Sequence, residues 1–320
     1  LGNVGVEFPS EDALAVFRQH GIHTDGERVF LSEAQVLSAL EGVPQRFTIK
    51  ARNPERDVVL GDGVTVFAPG YGAPFLVECG TGKRMPTMED YHNLARLAQA
   101  LPNQDLSGHL LVHPGDIPAH HAHLRMLQAN MVHSDKPFIG STEGLAGARK
   151  TMEMASILFD QPVEDRPVTI GLVNSRSPLG YGTEMLEALI EYSRWRQPVM
   201  VAALTMAGST GPITLAGVLA MQNAELLAGV TLNQLISPGA PVLYGSTSTN
   251  MDMRSGALAI GSPELSLLAA AHLQLARYYG LPSRGGGALT DSSCPDAQAG
   301  FESMLSLMTA VQHRADFVLH

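Results

Sequence analysis

Charge is scarce in this sequence. Only 16% of its 320 residues are charged, against 45% hydrophobic, which excludes an intrinsically disordered chain, since such chains lack the apolar surface needed to offset the entropy of ordering. Basic residues are the scarcer sign: 21 Lys+Arg against 31 Asp+Glu leave a net charge of −10. Such a surface repels phosphate backbones and argues against nucleic acid as a partner. Cysteine is nearly absent. Cys79 and Cys294 make neither a disulfide framework nor a four-cysteine metal site, so a reducing cytoplasm is the expected compartment. Long apolar runs are missing as well: the longest, Pro198 to Ala207, falls short of the ~20 residues of a spanning helix, and no membrane span is expected. No basic segment followed by an apolar one opens the chain, as a secretory signal would. It begins at Leu1 rather than Met and stops at His320 just after an apolar run, so both ends read as cut from a longer protein.

What the sequence does have is a repeat of short apolar runs led by proline. They start at Pro137, Pro167, Pro198, Pro241 and Pro282, which are 30, 31, 43 and 41 residues apart. Proline is tolerated at the first residue of a strand, and runs such as Pro167-Val-Thr-Ile-Gly-Leu-Val173 are apolar without alternation, as in strands covered on both faces. Helical patterns lie between them: Glu143 to Asp160, Glu184 to Arg194, Ile213 to Ile236, a helix opened by Ser262-Pro263, and Asp296 to His313. Adding strands at Leu106 to His113 and Phe317 to His320 gives seven β units. The expected fold is α/β, a (β/α)8 TIM-type barrel over residues 101–320 with its eighth strand beyond His320. A doubly wound open sheet is the alternative, but no phosphate loop follows its first strand. Residues 1–100 read as an N-terminal α+β cap. Its helices are expected at Glu11 to His20, Ser32 to Leu40 and Met88 to Ala100, with strand-like stretches at 47–51, 57–60, 64–68 and 74–79. The turn Gly61-Asp-Gly63 suggests a hairpin between residues 57–60 and 64–68.

The usual chemical motifs are absent. Gly80-Thr-Gly-Lys83 lacks the upstream glycine of a phosphate loop and reads as a turn. His120, His121 and His123, with His109 and His113 nearby, suggest a metal cluster at first sight, but they read as a solvated helix start; no metal is expected. Cys294 has no histidine close in sequence and reads as a passive loop thiol. What remains is a set of polar residues at the expected carboxyl ends of barrel strands, where such folds keep their chemistry. They are Glu143, Asn174, Thr205, Tyr244 through Thr249, Asp252, Arg254, Arg284, Asp291 and His320. Asn174, Ser246 and Asp291 could equally be helix caps.

Several segments then resemble one family over essentially the whole chain and in order. Asn53-Pro-Glu-Arg-Asp57, Ala68-Pro-Gly-Tyr-Gly-Ala-Pro74 and Asp135-Lys-Pro-Phe-Ile-Gly140 are similar to segments of the trimethylamine methyltransferase (MttB) family. So are the segment from Tyr244 to Arg254, Gly280-Leu-Pro-Ser-Arg-Gly-Gly-Gly287 and Asp296-Ala-Gln-Ala-Gly300. The resemblance implies a (β/α)8 barrel that moves a methyl group from a methylated amine to the cobalt of a corrinoid. That corrinoid is carried by a separate corrinoid protein that docks at the barrel mouth, so the chain itself binds no cofactor. A homo-oligomer is expected. The founding enzymes carry pyrrolysine before a Ser/Thr-Asp pair. This sequence has Gly287-Ala-Leu-Thr-Asp291 there, with Leu289 nearest the pyrrolysine-equivalent position. Relatives without pyrrolysine include glycine betaine methyltransferases, which makes a quaternary ammonium the expected substrate. A cation site wants aromatic faces or a carboxylate: Tyr71, Tyr181 and Tyr244 are the candidate faces, Glu143 and Asp291 the candidate countercharges. The substrate-binding set expected from the sequence is therefore Tyr71, Glu143, Asn174, Tyr244, Asp291 and His320. The alternatives are a barrel lyase or hydrolase using Asp291 and His320, and a methylamine-binding relative without turnover.

Overall fold

The computed structural model describes residues 1–78 and 82–320. The proline-led runs become its central strands: Phe138–Ile139, Thr169–Arg176, Val199–Ala203, Val242–Ser246 and Ser283–Gly286. Each proline stands just outside the strand it leads. Lacking an N–H it donates nothing, but its carbonyl still accepts. Gly171 donates to Pro198 O at 3.0 Å, Val199 to Pro241 O at 3.2 Å, Tyr244 to Pro282 O at 2.9 Å and Ser107 to Pro137 O at 2.9 Å. One-sided bonding at each strand start fixes the parallel register around the sheet.

The strands pair in parallel from Phe138–Ile139 through to Phe317–Leu319. The next pairing corrects the sequence reading. Phe317, Val318 and Leu319 pair in parallel with Val66, Phe67 and Ala68, and the Phe67 carbonyl accepts from Asp105 N at 2.8 Å and Leu106 N at 3.3 Å. Ser107 bridges Phe138 in parallel. The ring therefore closes with eight staves. The eighth strand of the ring is Val66–Ala68, which the sequence assigned to the cap, and among the described residues no stave is left with an open edge. The hairpin expected across Gly61-Asp62-Gly63 does not form, because Val58–Leu60 pairs with Phe47–Ile49 instead. Gly61 (φ 82°) turns the chain away from that pair, and a Cβ there would lie 1.8 Å from Gln45 O. The strand expected over Leu106 to His113 is reduced to bridges at Ser107 and Val112.

Side chains alternate across the ring. Ile170 and Leu172, Met200 and Ala202, Leu243, Phe317 and Leu319 face inward and share one buried cluster with Phe47, Ile49, Val58 and Leu60 of the hairpin. That hairpin fills the amino end of the barrel, and each fully buried aliphatic or aromatic side chain contributes about 1.5–3 kcal/mol. Val173, Val201, Val242 and Tyr244 face outward onto the helical layer. Helices α1 (Glu11–Gln19) and α2 (Glu33–Leu40) pack on the long α7 (Leu215–Ile236). Val6–Glu7 extends the sheet beside Gly180–Tyr181. Helices α3 (Met88–Ala100), α4 (Ala119–His133), α5 (Gly144–Leu158), α6 (Thr183–Arg194), α8 (Pro263–Tyr278) and α9 (Ala297–Gln312) follow in order. Their starts were well marked: Ser32 and Thr87 form reciprocal capping boxes with Gln35 and Asp90, and the Asp296 carboxylate accepts from Ala299 N. Helix α7 is long and apolar enough to cross a membrane, but it packs against the Val199–Ala203 and Val242–Ser246 strands. Strands Leu76–Glu78 and Gly82–Arg84 pair antiparallel. Cys79 and the glycine of the expected turn at Gly80 lie outside the described residues.

The Asp105 carboxylate accepts from Phe67 N at 2.7 Å and so clasps the first stave. Asp105→Ala should lower the free energy of unfolding by about 1–2 kcal/mol, toward the lower end of the cost of stranding a donor because this one is only part-buried. Asp62→Ala, which frees only the exposed Val64 N–H, should change it by less than about 0.5 kcal/mol. Urea denaturation of both variants checks this, and equal losses would mean that Asp105 is not the clasp.

Candidate functional site

Strand alternation decides which residues reach the mouth. Parity places Asn174 after Leu172 and Leu204 after Ala202 on the inward side, and both are solvent-exposed at the rim. On the Ser283–Gly286 strand, Ser283 faces outward, bonding Asp316 at 2.8 Å, and Gly285 backs onto Ala310 and Ala315. Arg284 and Gly286 therefore face inward. The Arg284 stem lies over Gly245 of the neighbouring strand, where a Cβ would come within 3.2 Å of its Cδ. Gly286 leaves room for Leu289 and Thr247, at 2.8 and 3.1 Å from where its Cβ would sit. At Gly287 a Cβ would lie 1.8 Å from His320 O. Each glycine of the run thus has its own packing reason, and together they bring Arg284, Leu289 and His320 close to one another.

Arg284 is 2% exposed. Its guanidinium makes two long contacts, Nη1 to Thr247 Oγ1 at 3.4 Å and Nη2 to Leu319 O at 3.5 Å. Its Nε is buried without a partner. Burial alone pulls its pKa down to about 10. Beside it, burial and the Arg284 charge hold His320 down to about 3, so this imidazole is neutral. The Tyr71 ring meets the His320 ring edge-on at a centroid distance of 6.5 Å. Burial, reinforced by the Glu143 charge and offset by a hydrogen bond with Thr142, pushes the Tyr71 phenol up to about 12. Glu143 stands just before α5 without capping it through its side chain, and its carboxylate lies 3.6 Å from His123 Nδ1. The order across the mouth is thus Glu143, Tyr71, His320, Arg284: an anionic end, an aromatic face, a neutral imidazole and a buried cation.

Two expected residues are elsewhere. Tyr244 is outward-facing and fully buried; its hydroxyl donates to Asn223 Oδ1 at 2.8 Å and its ring packs near His272 and Tyr279. Asp291 accepts from Ile260 N and Gly261 N at 2.8 and 2.9 Å, clamping the loop before α8. Tyr181 is also unavailable as a cation face, stacked on Phe8 with its hydroxyl donating to Glu225 O at 2.7 Å. Thr205 N donates to Ser248 Oγ and Asp252 caps its own turn. His120 and His121 are exposed at the start of α4, while His123 reaches back to Glu143. The sequence did not single out Thr142; it read His123 as part of a solvated helix start and included Thr247 only within the run Tyr244 through Thr249. It named Arg284 among many polar residues but not in the binding set; an arginine inside an otherwise apolar, glycine-rich strand was the available signal.

Three buried histidines set an acid limit. Burial pulls His109 and His272 to about 4 and His320 to about 3. Each folded value lies below the unfolded value of about 6.5, so the unfolded state binds more protons as pH falls. Stability should be full above pH ~6.5 and decline as pH drops from there toward 4. His272, whose Nε2 lies 2.9 Å from Arg284 O, is the cleanest reporter. His272→Asn should flatten the slope of unfolding free energy between pH 6.5 and 5, and an unchanged slope would remove it from the account.

Comparison with known proteins supplies the context for this mouth. The profile described as "Trimethylamine methyltransferase (MTTB)" matches residues 1–320. The chain is 51% identical to a glycine betaine methyltransferase of Desulfitobacterium hafniense, over 100% of this chain and 67% of that protein. It is 34% identical to a proline betaine:corrinoid methyltransferase of Eubacterium limosum, over 100% of this chain and 68% of that protein. It thus spans about two thirds of the length of each. The structure of the Methanosarcina barkeri monomethylamine methyltransferase superposes with a TM-score of 0.59 at 13% identity, over 100% of this chain and 77% of that chain, a likeness of fold. The chain belongs to the trimethylamine methyltransferase (MTTB) family.

Proposed function

We propose that this chain transfers a methyl group from a betaine, a quaternary ammonium carrying a carboxylate, to the cobalt of a corrinoid on a partner protein. The observation that carries this reading is the character of the mouth: an aromatic face beside a carboxylate, with Leu289 against Gly286 and His320 neutral. The names of the two relatives, one acting on glycine betaine and one on proline betaine with a corrinoid, support it.

A quaternary nitrogen is already cationic, so demethylation releases a neutral tertiary amine and needs no general acid. The corrinoid supplies the nucleophile, cobalt(I), from outside. The rim is open at Asn174 and Leu204, so a methyl group held inside is reachable by a group presented on another protein. The chain's own residues bind, orient and exclude water, which is catalysis by positioning. Tyr71 offers its ring face to the ammonium and Glu143 lowers the potential beside it. Leu289 offers neither an acceptor nor a proton, and an N–H buried against it would be unpaired at a cost of about 1–3 kcal/mol. That disfavours protonated trimethylamine relative to a quaternary amine. The lyase or hydrolase alternative loses ground because Asp291 is committed to two backbone N–H groups and its pairing with His320 does not form.

The deciding measurement is methylation of Co(I)-cobalamin with glycine betaine, other quaternary amines and trimethylamine at matched concentrations. Quaternary amines should be demethylated, with rates flat between pH 6 and 8; preference for trimethylamine over every quaternary amine would overturn the assignment. Tyr71→Leu should weaken betaine binding by about 0.5–2 kcal/mol, the range of a cation–π contact. Glu143, whose side chain is 50% exposed, is screened by water, so Glu143→Gln should cost no more than about 1 kcal/mol. Calorimetric titration separates the two, and a larger loss in the Glu143 variant would move the cation away from Tyr71.

A further inference from the structure

We propose that Arg284 is the receptor for the substrate's carboxylate, so that the mouth recognises both ends of a zwitterion; this rests on the betaine function proposed above. The argument starts from an imbalance. A buried guanidinium normally faces a carboxylate or has its donors filled, because an uncompensated buried charge costs several kcal/mol. Arg284 is 2% exposed, its Nε has no partner, and its two contacts at 3.4 and 3.5 Å are long for N–H···O bonds. Among the described residues no carboxylate contacts it, and burial is the sole cause of its lowered pKa. His320 and His272, the two titratable groups that feel its charge, are both neutral and offer no countercharge.

The placement suits a ligand rather than a packing role. Arg284 is on the inward face of its strand, level with Gly245 of the neighbouring strand; the missing Cβ at Gly245 makes room for its stem, and Leu289 and Thr247 pack beside it in the space at Gly286. A planar fork with an unused donor takes a carboxylate in two parallel hydrogen bonds. Tyr71 and Glu143 lie on the other side of His320, so a ligand with a carboxylate on Arg284 directs its ammonium toward the aromatic face. Choline and trimethylamine carry the cation but cannot use Arg284.

The test separates the two charges with three probes: glycine betaine; 3,3-dimethylbutyrate, its uncharged-carbon isostere, which keeps the carboxylate; and choline, which lacks it. Calorimetric titration and thermal shift are measured on the protein and on Arg284→Met and Arg284→Lys. The unsubstituted protein should bind glycine betaine and 3,3-dimethylbutyrate. Arg284→Met should lose affinity for both by about 10- to 100-fold, the range for hydrogen bonds to charged groups, and bind choline no more weakly than the unsubstituted protein. Because it removes an uncompensated buried charge, Arg284→Met should melt no lower than the unsubstituted protein without ligand, whereas a residue with only a structural role would lower the melting temperature. Arg284→Lys keeps the charge without the fork and should show an intermediate loss. Carboxylate binding retained in Arg284→Met, or equal losses for all three probes, would overturn the proposal. Arg284-dependent binding of 3,3-dimethylbutyrate with no methylation of Co(I) from any betaine would leave the carboxylate site standing and remove the function. Betaine turnover unaffected by Arg284→Met would do the reverse.

Discussion

The mouth depends on one parallel pairing, that of Phe317–Leu319 with Val66–Ala68. It is the seam at which the last strand of the ring meets the first. Without it, backbone groups on both strands would face water or another chain's edge, and Phe317 and Leu319 would lose the enclosure that makes them core. With it, the Phe47–Ile49 and Val58–Leu60 hairpin can fill the amino end, leaving the barrel accessible from its carboxyl end. The seam is short, three residue pairs, which is why the Asp105 carboxylate on Phe67 N matters beyond its single hydrogen bond.

Room at the mouth comes from glycines rather than from a wide barrel. Eight staves leave an interior just large enough for side chains to fill, and here Ile170, Leu172, Met200 and Leu243 fill it. Where the filling stops, Gly245 and Gly286 replace what would be the next inward side chains; Arg284 occupies the space at the first, and Leu289 and Thr247 that at the second. This arrangement trades stability for recognition: the charge is desolvated without a partner inside a protein whose net folding energy is small. The apolar ring beneath it offsets that cost. The histidines follow the same logic, since His109, His272 and His320 are all held neutral by burial.

Much of the barrel was legible in the sequence because proline keeps its carbonyl when it gives up its N–H. Runs led by Pro137, Pro167, Pro198, Pro241 and Pro282 read as strand starts and are strand starts, and cap residues such as Ser32, Thr87 and Asp296 marked helices to within a residue. The first stave was hidden because Val66–Ala68 is three residues long and sits beside a turn, Gly61-Asp62-Gly63, with a stronger local signal than its distant partner. The site was only partly legible for a related reason. A strand apolar throughout does not show which residues point inward, so Tyr244 entered the expected binding set and Arg284 did not; the pairing register puts the first against the helices and the second inside. Asp291 was misplaced because loops follow no such parity. Tyr71, Glu143 and His320 follow the ends of the Val66–Ala68, Phe138–Ile139 and Phe317–Leu319 strands by three, four and one residues, and the structure brings them to one mouth.

The order of groups across the mouth then constrains what can bind there. Between Glu143 at one end and Arg284 at the other stand a phenol that stays protonated and an imidazole that stays neutral. A protonated His320 would repel both the guanidinium and any ammonium beside Tyr71; kept neutral, it separates the two charged ends without opposing either. The resulting field is that of a dipole, and a dipole in a partly desolvated cleft favours a ligand with the opposite dipole over one with net charge of either sign. A cation alone gains from the Glu143 end and is opposed by Arg284, while an anion alone meets the reverse. A small zwitterion gains at both ends, and its orientation is then fixed by electrostatics before any shape contact is made. Fixed orientation is the condition for in-line displacement at an N–CH3 group, so on the proposed function the features that select the substrate also aim it.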